Sequence, residues 1–159
     1  MYEETISKLR ANAEFVIKQL KPLSGIDFGY NDESVAWLDG YINDLRKDAL
    51  PKETLVPLVG VLGSFLGECV IHRFGGTWQY VDGRFAVAFD DLNMVFPLTK
   101  VEKQFQDGPE ESVLSFFTNI PLIYSRTSPD TADDKFFGPA GGGAGEGYPV
   151  SFKTTRLRP

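Results

Sequence analysis

The sequence holds one cysteine and one histidine in 159 residues. The lone cysteine, Cys69, excludes an internal disulfide and fits a reducing compartment. The lone histidine, His72, leaves no second imidazole for a histidine pair, a multi-histidine zinc site or a proton shuttle. No apolar run approaches the roughly 20 residues that span a bilayer. The polar start MYEETISKLR is not followed by the apolar region of a signal peptide. A cytoplasmic location is therefore expected. Positive charge is also in deficit, with 16 Lys and Arg against 22 Asp and Glu and a net charge of −6. Such a chain repels phosphate backbones and anionic membranes, which argues against nucleic acid or membrane as partner and favours a basic protein. The oligomeric state is left open.

What is abundant is aromatic: 13 Phe, 6 Tyr and 2 Trp. These side chains are expected to carry much of the core.

Hydrophobic periodicity predicts a first helix over 3–20, with Ile6, Leu9, Ala13, Val16 and Leu20 on one face, closed by Lys21-Pro22. A second helix follows a cap at Asn31 or Asp32, with Val35, Leu38, Ile42 and Leu45 as its stripe and Trp37 and Tyr41 extending it. An exposed Trp37–Tyr41 patch would serve a homodimer. The third helix, over 54–74, has Thr54 as its expected cap and Pro57 in its first turn. Leu58, Val59, Leu62, Phe65, Leu66, Cys69 and Val70 share a broad face, while Gly60, Gly63 and Gly67 share another. Each helical glycine is unfavourable by about 0.5–1 kcal/mol relative to alanine, so three together point to close approach of another backbone.

Gly75-Gly76 ends that helix. The β-prone runs 77–81 and 84–89 flank Asp82-Gly83, a strong hairpin signal. Phe85, Val87 and Phe89 fall on one face, Ala86 and Ala88 on the other, and the alanine face is expected to pack on the helix glycines. A third strand over 92–96 ends at Pro97. Short helices are expected over 98–105 and from Glu110, the latter ending at 119–121. The fold class is α+β: N-terminal helices packed on an antiparallel sheet of about three strands, with further short helices. One domain is expected over 1–124. The Gly- and Pro-rich stretch 125–159 reads as a flexible tail with a basic end at Lys153, Arg156 and Arg158.

Few residues offer chemistry. Cys69 lies on the apolar face and reads as a small core residue. Glu68 lies between the apolar and glycine faces, where a carboxylate needs a partner; Arg73, Arg84 and Lys100 are the candidates. Glu68, His72, Arg73 and Trp78 are the candidate ligand-binding residues, should a cleft lie there. The glycine run 141–145 has no Lys-Ser/Thr after it, and Asp90-Asp91, Asp130 and Asp133-Asp134 lack calcium-loop spacing. The expectation is no cofactor, no metal and no catalytic set.

The segments GSFLGECVIHRFGGTWQY, VFPLTKVEKQF and SVLSFF resemble a family of uncharacterised bacterial domains. In that family a helix bearing Leu-Gly-Glu leads to a Gly-x-Trp strand. The matching positions are Leu66, Gly67, Glu68, Gly76, Trp78, Pro97, Val101, Lys103, Ser112 and Phe116. The resemblance covers about residues 60–120 and carries no transferable activity. Similar small proteins occur in toxin-immunity neighbourhoods, which implies a protein-binding module of immunity or accessory type. The alternative from a different class is a small enzyme or ligand-binding domain at Glu68, His72 and Trp78.

Overall fold

The computed structural model describes residues 2–125; the glycine-rich stretch and the basic end lie outside them. Within them the chain is α+β, with five α-helices and a three-stranded antiparallel sheet. In order these are α1 (Glu3–Ser24), α2 (Asp32–Arg46), α3 (Lys52–Phe74), β1 (Thr77–Val81), β2 (Arg84–Ala88), β3 (Met94–Val95), α4 (Pro97–Asp107) and α5 (Val113–Ser125). A short 3₁₀ turn, Pro109–Glu111, links the last two.

The apolar stripes bury as their periodicity predicts. Leu9, Ala13, Val16 and Leu20 of α1 meet α3, and Val35, Leu38, Ile42 and Leu45 of α2 are also in the core. Asn31 caps α2, its side-chain oxygen accepting from the Ser34 N–H at 2.8 Å. Trp37 and Tyr41 do not form an exposed patch. Their rings stack 4.9 Å apart, Trp37 meets Phe28 edge-on, and Tyr41 is only 3% exposed.

Every residue from Leu58 to Val70 is buried. By length and composition α3 could cross a membrane, which corrects the expectation from the sequence; 72% of its most apolar window is buried inside this fold. Two of its glycines explain its position. A Cβ on Gly63 would lie 2.6 Å from the Leu98 Cα, so α4 approaches there backbone to helix. A Cβ on Gly67 would overlap the six-membered ring of Trp78.

Local rules fail at several helix ends. Pro22 does not close α1, which runs on to Ser24 and ends at Gly25 with φ +73°. α3 starts at Lys52 with Pro51 as its cap residue, so Thr54 lies in the first turn and Pro57 in the second. α5 likewise continues past Pro121 to Ser125. At Pro22 and Pro57 the carbonyl four residues back belongs to an exposed residue, Lys18 or Glu53, so solvent can replace the missing N–H.

The hairpin forms at Asp82-Gly83, where both residues have positive φ, 53° and 81°. Trp78 pairs with Val87 and Tyr80 with Phe85, so these four side chains share a sheet face. That face, not the alanine face, meets Gly67. Trp78 alone among the strand residues brings both a broad ring and a polar N–H, and the helix provides a hollow and an acceptor for them. β3 is shorter than expected because Asp90 organises 90–93 as a turn. Its Oδ1 accepts from the Leu92 and Asn93 N–H groups, both at 2.8 Å.

Candidate functional site

Glu68 lies one helical turn before His72 and one position after Gly67. Its neighbours hold it 6% exposed, and it is the only buried acidic or basic residue among the described residues. The three cations named as candidate partners are engaged elsewhere. Arg73 donates from Nε to Asp32 at 3.2 Å, and Lys100 donates to Glu111 at 2.6 Å. Arg84 stacks 3.9 Å over the Phe96 ring. Glu68 instead accepts from the Trp78 indole Nε1–H at 2.8 Å, a buried hydrogen bond. Arg10 of α1 lies 3.7 Å from the same Oε2, and His72 Nε2 lies 3.6 Å from Oε1.

The cluster extends outward through aromatic contacts. The His72 ring stacks on Tyr30 at 4.3 Å, and the Tyr30 hydroxyl donates to Glu14 at 2.8 Å. Burial pushes the Tyr30 phenol well above its ordinary value, and the hydrogen bond and negative charge of Glu14 push it further. His72 is half-exposed, whereas Cys69 is sealed in the core. Burial and the neighbouring Glu68 charge raise the Cys69 thiol well above its ordinary range, so it is held as the unreactive thiol.

The structure therefore brings Glu68, His72 and Trp78 together, and it leaves Arg73 with Asp32 at the start of α2. Arg10, Tyr30 and Glu14 join the cluster unforeseen. Arg10 lies one residue beyond Leu9 at the edge of the α1 stripe, which was the available signal for it. No group of three or more His, Cys, Asp or Glu suited to a metal ion occurs among the described residues.

A second polar centre was not foreseen. The fully buried Gln104 amide donates to the Asp39 carbonyl at 3.2 Å and to Asn43 Oδ1 at 3.0 Å, and accepts from the Val113 N–H at 2.8 Å. The Asp39 carboxylate accepts from Ser112 Oγ at 2.6 Å and the Leu114 N–H at 3.2 Å. These bonds tie the start of α5 to α2 and α4. Ser112, part of the resemblance pattern, thus has a definite structural contact.

Fold and cluster together define an α+β domain in which the β1–β2 hairpin is pinned to the central helix by one buried carboxylate. No family model, curated protein or solved structure matches the chain.

Proposed function

We propose that the chain is a non-enzymatic protein-binding module, of the immunity or accessory type found in the bacterial cytoplasm, whose partner is a basic protein. The observation that supports the non-enzymatic part is the Glu68–Trp78 bond. The carboxylate and indole that a ligand would need are directed at each other, with the indole ring seated on Gly67. A buried carboxylate held this way is a structural acceptor, and breaking the pair would leave it without its closest donor. The acidic balance of the chain supports the choice of a basic partner. Co-expression with the product of the adjacent gene tests the reading: a stable complex that weakens as salt rises is expected. Failure of the two proteins to associate, by gel filtration and calorimetry, rejects it.

The second reading, a small enzyme or ligand-binding domain, draws on one observation. His72 is half-exposed, 3.6 Å from Glu68, and stacked on a tyrosine, an arrangement able to present an imidazole to a ligand. A small-molecule screen by thermal shift separates the two. A ligand whose stabilising effect disappears in His72→Ala would favour this second reading over the first.

A further inference from the structure

The sheet order is β1-β2-β3, so β1 is an edge strand, and no described strand pairs with its outer side. An open edge is a template for another extended segment. Beside it lies an aromatic group in which Phe85 packs against the core while two tyrosines stand outside it. Tyr2 stacks on Tyr80 at 4.6 Å, and both meet Phe85, at 6.3 and 4.8 Å. Tyr2 and Tyr80 remain 44% and 42% exposed although their rings stack. The charged residues exposed near these rings in the chain are acidic: Glu3 and Glu4 follow Tyr2, and Asp82 lies in the turn between Tyr80 and Phe85, while the exposed Gln79 and Gly83 are neutral. Arg84, the nearest cation in sequence, lies over Phe96 and alternates to the opposite sheet face from Phe85.

Charge decides between the possible occupants. A second copy docked by two-fold symmetry would bring a second set of the acidic Glu3, Glu4 and Asp82 to the same contact, and accumulating like charge at an interface is unfavourable. A segment carrying Lys or Arg meets acidic groups at the rim and tyrosine faces at the centre, and both attract a cation.

We propose that the outer edge of β1, with Tyr2, Tyr80 and Phe85, is the docking strip for an extended, basic segment of a partner protein. The segment adds as a fourth strand, its main chain pairing with β1 and its cationic side chains lying over the tyrosines. This inference rests on the protein-binding reading and specifies where that binding occurs.

The test uses the full chain and, as probe, a peptide of about six residues, the length of an ordinary strand, that alternates arginine with valine. A second peptide carries glutamate in place of arginine. In an amide-resolved NMR titration, the arginine peptide is expected to perturb residues 77–81 and Tyr2, with an affinity that falls as salt rises. Tyr80→Ala, a change at an exposed ring, is expected to weaken it about fivefold or more, as truncation of an anchoring aromatic does. The paired changes Glu3→Gln and Glu4→Gln should weaken it with only a small drop in thermal midpoint, since both carboxylates stand in the first turn of α1. Equal binding of the glutamate peptide, or perturbations centred away from β1, overturns the proposal. So does broadening of the β1 amides in the free protein that grows with concentration, which would make a second copy the occupant. Peptide binding seen only after removal of residues 150–158 would assign the strip to the chain's own basic end and equally overturn it. A neighbouring-gene product that binds wild type and Tyr80→Ala alike would keep the protein-binding reading and reject this strip.

Discussion

Trp78 and Glu68 are ten residues apart in sequence, and a 2.8 Å buried hydrogen bond joins them across the α3–β1 turn. The indole ring lies in the hollow left by Gly67, so one residue provides both the acceptor's donor and the filling of the glycine notch. The hairpin's position on the helix therefore depends on a polar bond and a steric fit that must be satisfied at once.

Trp78→Phe removes the donor and also the outer indole atoms that fill the Gly67 hollow. It is expected to destabilise the fold by about 1–3 kcal/mol or more, since stranding a buried acceptor alone costs that range. Glu68→Gln keeps an oxygen that accepts from the indole, and should cost clearly less. Urea unfolding monitored by circular dichroism compares the two. A neutral Trp78→Phe would show that the bond contributes nothing net.

The helix glycines should separate by environment. Gly67→Ala and Gly63→Ala each place a methyl where none fits, against the Trp78 ring and the Leu98 backbone respectively. Overpacking of about 1–3 kcal/mol outweighs the helix-propensity gain of under 1 kcal/mol, so both should lose stability. Gly63→Ala should be the worse, because a backbone yields less than a side chain. Gly40→Ala on α2, where the added methyl meets nothing within 4 Å, should gain about 0.5–1 kcal/mol. Thermal midpoints of the three variants check the order.

Asp39 and Ser112 should be energetically coupled. Both belong to the network around Gln104, and the Ser112 hydroxyl has the Asp39 carboxylate as acceptor. A double-mutant cycle with Asp39→Asn and Ser112→Ala is expected to return a coupling of about 0.5–3 kcal/mol, and simple additivity would contradict the contact. Gln104→Leu leaves the Val113 N–H and Asn43 Oδ1 without that amide, and is expected to be the most harmful single change in the network.

Acid should weaken the fold partly through Asp90 and Glu111. Hydrogen bonds from the Asn93 side chain and the Leu92 N–H hold the Asp90 carboxyl below its ordinary value of 3.8. Lys100 does the same for Glu111, below 4.5. A folded value lower than the unfolded one means stability that is fully present above the unfolded value and is lost as pH falls through the folded one. Asp90→Asn and Glu111→Gln should therefore each flatten the decline in the urea midpoint below about pH 4. An acid limb unchanged in both variants would contradict these assignments.

Tyr30 has the opposite sign. Its folded value is raised, so its contribution is complete below the ordinary value of 10.0 and is lost as pH rises beyond it. In an alkaline absorbance titration, one tyrosine's signal should appear only together with unfolding. Tyr30→Phe should remove that late step, and its persistence would place the late step on another tyrosine.

The local pattern of the chain determined a good deal: the stripes of α1 and α2, a cap for α2 at Asn31 or Asp32, the Asp82-Gly83 hairpin and the glycine-bearing central helix. Each depends on periodicity or on the φ preference of one or two residues, which neighbouring sequence contains. Tertiary structure decided what those elements touch. The sequence offered Arg73, Arg84 and Lys100 as partners for Glu68, and only the path of the hairpin across α3 placed the Trp78 indole against it instead. Gln104 reaches Asp39, 65 residues away, through a packing of α2 on α4 that no local pattern encodes. Pro22 and Pro121 read as breakers, yet both lie inside helices, and Pro57, expected in a first turn, lies in the second, because packing along the rest of each helix outweighs one missing N–H. A side chain's neighbours in the chain set its backbone, but its partners in space follow from how whole elements dock, and at Glu68 that docking made the difference.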